Sequence, residues 1–266
     1  APVGTTAVVL PMDDKKRWVF KTTQNDALIS DALVSHMKKH GVKTVGFIGF
    51  NDPYGENWHQ VFSAQAEKAG LKIVANERYL RTDASVAGQV AKIMAAMPDA
   101  VLVAAAGGPT VLPQIALHDA GYKGQVYQTH GAAAPAFLKL GGPKVEGAAS
   151  LMLVLPEIPD SVPSKAVAEA YVREYEKLYG EKPATFGANV YDAGLLLARA
   201  VPEALKHGKP GTPEFRAALR DALEKTKELV GTQGVYNMTP ADHSGFDQRG
   251  RELITVRDGQ WRLVKD

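Results

Sequence analysis

The sequence predicts an α/β fold in which parallel strands alternate with helices in a doubly wound open sheet. At three places a stretch with helical periodicity ends in a glycine, a lysine follows two residues later, and a β-rich segment begins. Glycine is favoured in the left-handed position just after a helix. Strands that alternate with helices of this length pair in parallel, with helices covering the sheet. The three boundaries are His40-Gly41-Val42-Lys43, Ala69-Gly70-Leu71-Lys72 and Ala120-Gly121-Tyr122-Lys123.

The first half of the chain supplies most of the predicted sheet. Apolar residues at helical spacing predict its helices. The second of these helices is expected to be capped by Asp83, and the third begins with Pro109, a residue type tolerated in a first helical turn. Short β-rich runs predict its strands. In chain order the elements are helix 26–40, strand 44–50, strand 72–79, helix 84–97, strand 100–106, helix 109–120 and strand 125–129.

Beyond residue 155 helices dominate, and the C-terminal region returns to strands. Pro156-Glu157-Ile158-Pro159 is the best candidate for a linker. Thr212-Pro213-Glu214 combines a cap residue, a proline and an early acid, which together predict a helix start. Asp258-Gly259 is typical of a hairpin turn. The predicted elements are helices 164–179, 189–207 and 212–225 and strands 234–238, 252–257 and 260–264.

Composition and charge argue against several classes of protein. The 266 residues are 45% hydrophobic and 23% charged, as in a globular protein with one large core or two modest ones. With 31 basic and 29 acidic residues, the chain lacks the basic stripe of a nucleic-acid-binding protein. No apolar run reaches the roughly 18 residues of a membrane span. The absence of cysteine removes disulfides, thiolate metal sites and cysteine nucleophiles. It suits an extracytoplasmic protein, although many cytoplasmic proteins also lack cysteine.

Ligands of open parallel sheets bind beyond the carboxyl ends of the strands. The residues that follow the predicted strands have polar and aromatic groups that can bind a ligand. Tyr54 follows the turn Asn51-Asp52-Pro53, and His130 follows a later strand. Gly107-Gly108-Pro109 opens a helix whose backbone N–H groups are expected to receive an anion. Simpler explanations stay open: ordinary turns at both loops, a core edge for Tyr54 and a structural role for His130.

The sequence lacks the motifs of familiar enzymes. It has no G-x-G-x-x-G dinucleotide loop, no G-x-x-x-x-G-K-[ST] phosphate loop and no G-x-S-x-G nucleophile elbow. His36 and His40 have the spacing of a zinc site without its glutamate. The adjacency of Asp242-His243-Ser244 means little, because triads are assembled in space. The sequence favours a binding protein without metal or cofactor, with an α/β enzyme carrying a loop-borne site as the alternative.

The segment GFIGFNDPYGEN, residues 46–57, resembles the type I periplasmic solute-binding proteins of ABC importers, in the branched-chain amino acid group. The agreement continues from end to end of the chain in the same order. The further matching stretches are RWVFKT (residues 17–22), 117–122, FLKLGGPKVEG (residues 137–147) and Tyr191-Asp192-Ala193.

The resemblance implies two α/β lobes joined by three crossover strands, which close on a ligand by a hinge motion. Residues 1–23 and 158–250 are expected to form the first lobe, and residues 24–157 and 251–266 the second. Because such proteins are normally longer at the amino end, the first lobe is expected to lack its early βα units and part of its ligand site. The resemblance further implies a periplasmic protein, mature after removal of a signal peptide, that docks on an ABC permease without entering the membrane.

The resemblance also assigns roles to individual residues. Val3 and Thr5 resemble the segment that meets a ligand carboxylate. Tyr54 resembles an aromatic contact from the second lobe, and Phe186 a hydrophobic wall from the first. These four positions are therefore expected to bind the ligand.

Three further positions depart from what an amino acid receptor carries. Ala106 and Gly107 fall where such a receptor often has an aromatic contact, and His130 falls where it has an acid facing the ligand's ammonium. A buried ammonium needs an opposing charge or several acceptors, which histidine does not supply. We therefore expect an aromatic or other organic carboxylate as ligand, with enlarged room at 106 and 107.

Alternatives remain at this stage. If Asp52 or Asp192 supplies the negative charge, the ligand is a branched-chain or other amino acid. A receptor ectodomain or a cytoplasmic effector-sensing core of the same fold is a further reading, although no DNA-binding helix-turn-helix is visible. A chain that lacks part of a lobe is also compatible with no binding on its own.

Overall fold

A computed structural model of the 266-residue chain describes residues 3–151 and 159–264. The chain divides into two compact units: unit 1 comprises Ala1–Asn25 and Val154–Gly250, and unit 2 comprises Asp26–Leu153 and Arg251–Asp266. The lobe limits expected from the resemblance stay a prediction. Of the predicted linker, residues 156–158 lie outside the described residues.

Helices and strands alternate through the first half of the chain, as the sequence predicts. Three helices follow in the second half, before short strands. The elements are α1 (Asp26–Lys39), β1 (Thr44–Phe50), α2 (Pro53–Lys68), β2 (Lys72–Tyr79), α3 (Ala87–Ala96), β3 (Ala100–Ala104), α4 (Val111–Asp119), β4 (Gln125–Gln128), α5 (Pro135–Gly141), β5 (Ala149–Leu151), α6 (Lys165–Tyr179), α7 (Thr185–Ala204), α8 (Pro213–Glu224), β6 (Leu229–Val230), β7 (Val235–Tyr236), β8 (Leu253–Arg257) and β9 (Gln260–Leu263).

Unit 2 is built on a seven-stranded sheet in the order β2-β1-β3-β4-β5-β8-β9. Strands β1 to β5 pair in parallel, and β8 and β9 extend the sheet in antiparallel orientation. The predicted α/β fold with a parallel sheet is thereby confirmed. The parallel order brings the carboxyl ends of β1, β3 and β4 together at one edge of the sheet.

Helices cover both faces of this sheet. Neighbouring residues of a strand point to opposite faces, and apolar side chains on each face pack against helices. Phe47 packs with Leu33 of α1 and Phe62 of α2 in one buried cluster. Ile48, the next residue along β1, packs with Val90 of α3 and Leu117 of α4 in another. The sheet is therefore doubly wound, and the packed helices hold its carboxyl-end loops in place.

Most predicted boundaries agree with the structure to within a few residues. The glycines at 41, 70 and 121 end their helices with φ of 75°, 80° and 78°, and Thr212 caps α8 by accepting the Phe215 N–H at 3.2 Å. The predicted cap of α3 is wrong: Asp83 accepts the Leu80 N–H at 2.8 Å and closes a turn, so the helix begins only at Ala87.

Unit 1 contains α6, α7, α8 and the two-stranded β6–β7 sheet. Helix α7 begins four residues before its predicted start, at Thr185. The segment 21–24 is buried and is bound to this helix: the Thr22 hydroxyl donates to the Asn189 carbonyl oxygen at 2.7 Å, and the Asn189 amide donates to the Thr22 carbonyl oxygen at 2.8 Å. Hydrogen-bonded polar groups therefore form part of the buried interior of this unit.

Candidate ligand-binding site

The start of α2 fixes Tyr54 over the carboxyl edge of the sheet in unit 2. Asp52 Oδ1 accepts the N–H groups of Tyr54 at 2.9 Å and Gly55 at 3.1 Å, which is the geometry of a helix N-cap. A Cβ on Gly55 would lie 1.9 Å from the Phe50 carbonyl oxygen. The helix therefore starts directly on the end of β1, and only glycine fits at this contact.

The Tyr54 hydroxyl joins a short chain of oxygen atoms at the ends of β3 and β4. It lies 2.8 Å from Thr129 Oγ1 and 3.4 Å from the Ala105 carbonyl oxygen. The Thr129 hydroxyl donates to the same carbonyl at 2.9 Å. Burial raises the pKa of Tyr54 well above its ordinary value of about 10, so the phenol keeps its proton at neutral pH.

His130 lies beside a tryptophan that the sequence did not single out. The histidine follows β4 and is 6% exposed. Its ring centroid lies 6.2 Å from that of Trp58, which is fully buried one turn along α2 from Tyr54. Tyr54 and Trp58 have ring centroids 6.4 Å apart. The buried Trp58 ring therefore lies between the side chains of Tyr54 and His130.

Arg81, after β2, places a positive charge against this group of residues. Its guanidinium carbon lies 4.1 Å from the Phe50 ring centroid, a cation–π distance. Its Nε donates to Asp52 Oδ2 at 2.6 Å. The side chain is half exposed, and neither Nη nitrogen donates a hydrogen bond to the part of the chain that the structure describes. Sequence reasoning missed this residue, although its position just after a strand was a usable signal.

The loop at Ala106 and Gly107 corrects one expectation. Both residues are half-buried at the end of β3. The Gly107 N–H donates to the Gly131 carbonyl oxygen at 3.1 Å, and the Thr110 N–H donates to the Gly107 carbonyl oxygen at 3.2 Å. Pro109 has no N–H and α4 begins only at Val111, so the helix starts two residues later than predicted. The Gly107 and Thr110 N–H groups are used within the loops, and binding of an anion here stays a prediction.

The other three predicted contacts belong to unit 1. Val3 is exposed, and Thr5 is half-buried at the start of a 3₁₀ turn, where its carbonyl oxygen accepts the Val8 N–H at 3.2 Å. Phe186 is half-buried in the first turn of α7. The remaining predicted contacts, Tyr54, Ala106, Gly107 and His130, all lie at the strand ends of unit 2.

Two acids that sequence reasoning left open as partners for an ammonium are engaged elsewhere. Asp52 uses Oδ1 for the helix cap and Oδ2 for Arg81. Asp192 is buried inside unit 1, where it accepts the Thr232 N–H and the Tyr236 hydroxyl, each at 2.8 Å. Burial raises the pKa of Asp192 to about 6. Both carboxylates therefore already have hydrogen-bond partners within their own unit.

The adjacent Asp242, His243 and Ser244 do not form a triad. Asp242 accepts backbone N–H groups, and the Ser244 hydroxyl donates to the Thr23 carbonyl oxygen at 2.8 Å. The buried His243 ring lies 2.9 Å from the Val19 carbonyl oxygen and 3.2 Å from a carboxylate oxygen of Glu224. Within the described ranges, no group of three histidine, aspartate or glutamate side chains is arranged to hold a metal ion.

The parallel sheet, with aromatic and polar side chains gathered at its strand ends, defines an α/β ligand-binding protein. The profile of the periplasmic binding protein family matches residues 2–251. The chain belongs to this family, the type I periplasmic binding proteins.

Solved structures agree with this assignment. The chain is 45% identical to an extracellular ligand-binding receptor from Rhodopseudomonas palustris HaA2, with a TM-score of 0.93 over 98% of this chain and 73% of that one. A leucine-binding protein from Thermotoga maritima is 21% identical, with a TM-score of 0.80 over 99% and 71%. An ABC transporter solute-binding protein from R. palustris, in complex with benzoate, is 18% identical, with a TM-score of 0.76 over 92% and 64%. The last two share the fold alone.

A sequence search of curated proteins gave no match. The family and the structural neighbours make the protein a ligand-binding receptor of the ABC transport class, with the extracytoplasmic location and the membrane permease partner that this class implies. Across residues 3–151 and 159–264, the helices are too short or too polar to cross a membrane.

Proposed function

We propose that the protein is the solute receptor of an ABC importer for aromatic or other organic carboxylates, and that it releases its ligand chemically unchanged. The observation that carries the ligand class concerns residues 3–151 and 159–264: among them we find no available carboxylate at the strand ends of unit 2, where an α-ammonium would need one. His130 is neutral or positive, and Asp52 is already bound to Arg81 and to the start of α2.

A third acid near Tyr54 also supports this ligand class. Asp26 is fully buried, and its Oδ2 accepts the Asn57 side-chain amide at 2.6 Å. A side chain without exposed surface does not meet an ammonium unless the helix start moves. Leaving an ammonium buried without an opposing charge costs several kcal/mol, so an amino acid is disfavoured.

Positive charge and room at the strand ends favour an aromatic anion. The half-exposed Arg81 guanidinium raises the local potential and attracts carboxylates. Ala106 and Gly107 have small side chains and remain partly accessible. Tyr54 offers a ring for stacking.

Thermal unfolding with a panel of leucine, valine, glutamate, benzoate and hydroxylated cinnamates tests the proposal. A ligand at a hundred times its Kd adds about 2.7 kcal/mol to the free energy of unfolding and raises Tm by several degrees. We expect this rise with the aromatic acids and not with leucine. A rise in Tm with leucine or valine alone would contradict the proposed ligand class but would still agree with a solute receptor.

A matched pair of variants connects the response to the site. His130→Asn is expected to reduce the rise in Tm caused by benzoate. His118→Asn removes an exposed histidine on α4 and is expected to leave the rise unchanged. Mass spectrometry of the recovered acid checks the remaining claim, since a chemically altered ligand would indicate an enzyme.

A further inference from the structure

Arg81 is held at the strand ends by contacts that use only part of its guanidinium group. The guanidinium carbon lies 4.1 Å from the Phe50 ring centroid, and Nε donates to Asp52 Oδ2 at 2.6 Å. The other carboxylate oxygen, Oδ1, accepts the N–H groups of Tyr54 and Gly55. The ion pair therefore joins one oxygen of Asp52 to Nε of Arg81, and the four N–H donors on the two Nη nitrogens are not part of it.

The Nη donors of Arg81 face solvent. Within residues 3–151 and 159–264, neither Nη nitrogen donates a hydrogen bond, and half of the side-chain surface is exposed. Buried donors without partners are rare, because burying them costs free energy. Four unused donors on a half-exposed side chain therefore lie on its exposed part, where a ligand can reach them.

Arg78, three residues earlier, shows that this openness is particular to Arg81. Its guanidinium carbon lies 5.0 Å from the Phe47 ring centroid, and its Nε donates to Glu56 Oε1 at 2.6 Å. Its Nη1 also donates to the Glu77 carbonyl oxygen at 3.0 Å and its Nη2 to Glu56 Oε2 at 3.2 Å, and 19% of the side chain is exposed. Arg78 therefore has both Nη groups in use, whereas Arg81 has the same kind of anchor and an unused Nη edge.

The positive charge of Arg81 stays effective beside its partner. Asp52 precedes α2, where main-chain N–H groups and the helix dipole stabilise a negative charge. It accepts three hydrogen bonds, and two of them come from the main chain of that helix. Because the carboxylate is shared between the helix start and the arginine, the guanidinium still attracts a second anion. The Phe50 and Tyr54 ring centroids lie 6.3 Å apart, so the guanidinium stacked on Phe50 belongs to the same strand-end edge as Tyr54.

We infer that Arg81 is the specificity-determining residue that binds the carboxylate of the ligand, through a bidentate contact from Nη1 and Nη2. This inference rests on the proposed function and deepens it, because it names the group that recognises the acid. A planar guanidinium edge matches the two oxygens of a carboxylate and does so more strongly than a neutral donor. The resemblance implies Val3 and Thr5 as the carboxylate contact instead, and the following test decides between the two assignments.

The test compares benzoate with its neutral analogue benzamide by calorimetric titration of the full chain. We expect benzoate to bind about ten- to a hundredfold more tightly, the size expected for hydrogen bonds between charged groups. In Arg81→Gln the ratio of the two affinities should fall close to one. A ratio that persists in Arg81→Gln, or equal affinities in the unchanged protein, would overturn the inference.

A matched pair of lysine variants separates the bidentate geometry from the charge. Arg81→Lys keeps the positive charge but lacks the planar pair of donors, so benzoate should bind several-fold more weakly than to the unchanged protein. Arg78→Lys makes the same change at the arginine whose Nη groups are in use, and the ratio of benzoate to benzamide affinity should not change. Unchanged benzoate affinity in Arg81→Lys would contradict the bidentate contact, and an equal fall in both variants would contradict the assignment to Arg81.

The same titrations separate this inference from the proposed function. If benzoate binds and Arg81→Gln leaves the ratio unchanged, the inference fails and the ligand class stands. If leucine binds and the aromatic acids do not, the ligand class fails. Equal leucine affinity in the unchanged protein and in Arg81→Gln would then overturn the inference, whereas a tenfold loss would support it. If neither leucine nor any aromatic acid binds, both fail.

Discussion

Asp192 is a buried carboxylate whose folding energetics depend on pH. Its pKa of about 6 in the folded protein lies above the ordinary value of about 3.9. The folded state therefore holds this proton more tightly than the unfolded state. The contribution to stability is full below about pH 4 and is lost as the pH rises through about 6.

We expect Asp192→Asn to remove this pH-dependent decrease in the free energy of unfolding, which amounts to up to about 3 kcal/mol. The amide oxygen can still accept the Thr232 N–H, and the amide NH₂ faces the Tyr236 hydroxyl oxygen. Denaturant unfolding of both proteins between pH 4 and 7.5 measures the effect. The unchanged protein should lose stability relative to the variant as the pH rises, and parallel curves would contradict the assignment.

Two residues show that a sequence does not reveal contacts between side chains or backbone groups that lie far apart in the chain. Arg81 belongs to the candidate site only because its guanidinium stacks on Phe50 and pairs with Asp52, and both contacts depend on strand order. The predicted donor at Gly107 is used by Gly131, 24 positions later in the sequence. Tyr54 and His130 were found because each follows a strand that the sequence predicts well.

At the scale of elements, the contact between β1 and α2 is the most sensitive to substitution. Gly55→Ala would place a Cβ against the Phe50 backbone, which cannot move away as a flexible side chain would. We expect a loss of about 2–4 kcal/mol in the free energy of unfolding, measured by urea denaturation.

The matched control for this change is Gly88→Ala in the first turn of α3. A Cβ at position 88 meets no atom within 4 Å. Replacing a helical glycine by alanine there should stabilise by up to about 1 kcal/mol. If both variants were stabilised, the close approach of α2 to β1 would be wrong.

Elements were predictable where local chemistry marks their ends. Strands β1 and β2 have their predicted bounds, because each lies between a helix-ending glycine and a polar turn. Helix α7 was predicted to start late, since its cap residue Ala184 makes no side-chain hydrogen bond that a sequence could reveal. The three-residue β5 was missed because it is defined by pairing with β4 and β8.

At the scale of the whole chain, the two units differ in how they are stabilised. Unit 2 has a seven-stranded sheet with buried apolar clusters on both faces. Unit 1 has a two-stranded sheet, and on α6 and α7 it exposes large apolar side chains. These are Leu178, Tyr179, Val190, Tyr191 and Leu197.

We therefore expect native-state hydrogen exchange to be slowest in β1 and β3 and faster throughout α6 and α7. Amides that exchange through partial opening report a smaller free energy than those that need global unfolding. Mass spectrometry of peptides from each unit measures this difference. Equal protection in both units would contradict it.

Asp52 unites two tasks in one carboxylate: one oxygen sets where α2 starts, and the other holds Arg81. Its bonds to α2 go to main-chain N–H groups, so they do not depend on which side chain occupies position 54. The backbone framework of the strand-end edge is thus separate from the side chains that we propose as ligand contacts. We therefore expect single substitutions at position 54 or 106 to change the proposed ligand preference while the turn after β1 keeps its structure. The turn after β1 thus acts as a fixed support for whichever side chain occupies position 54.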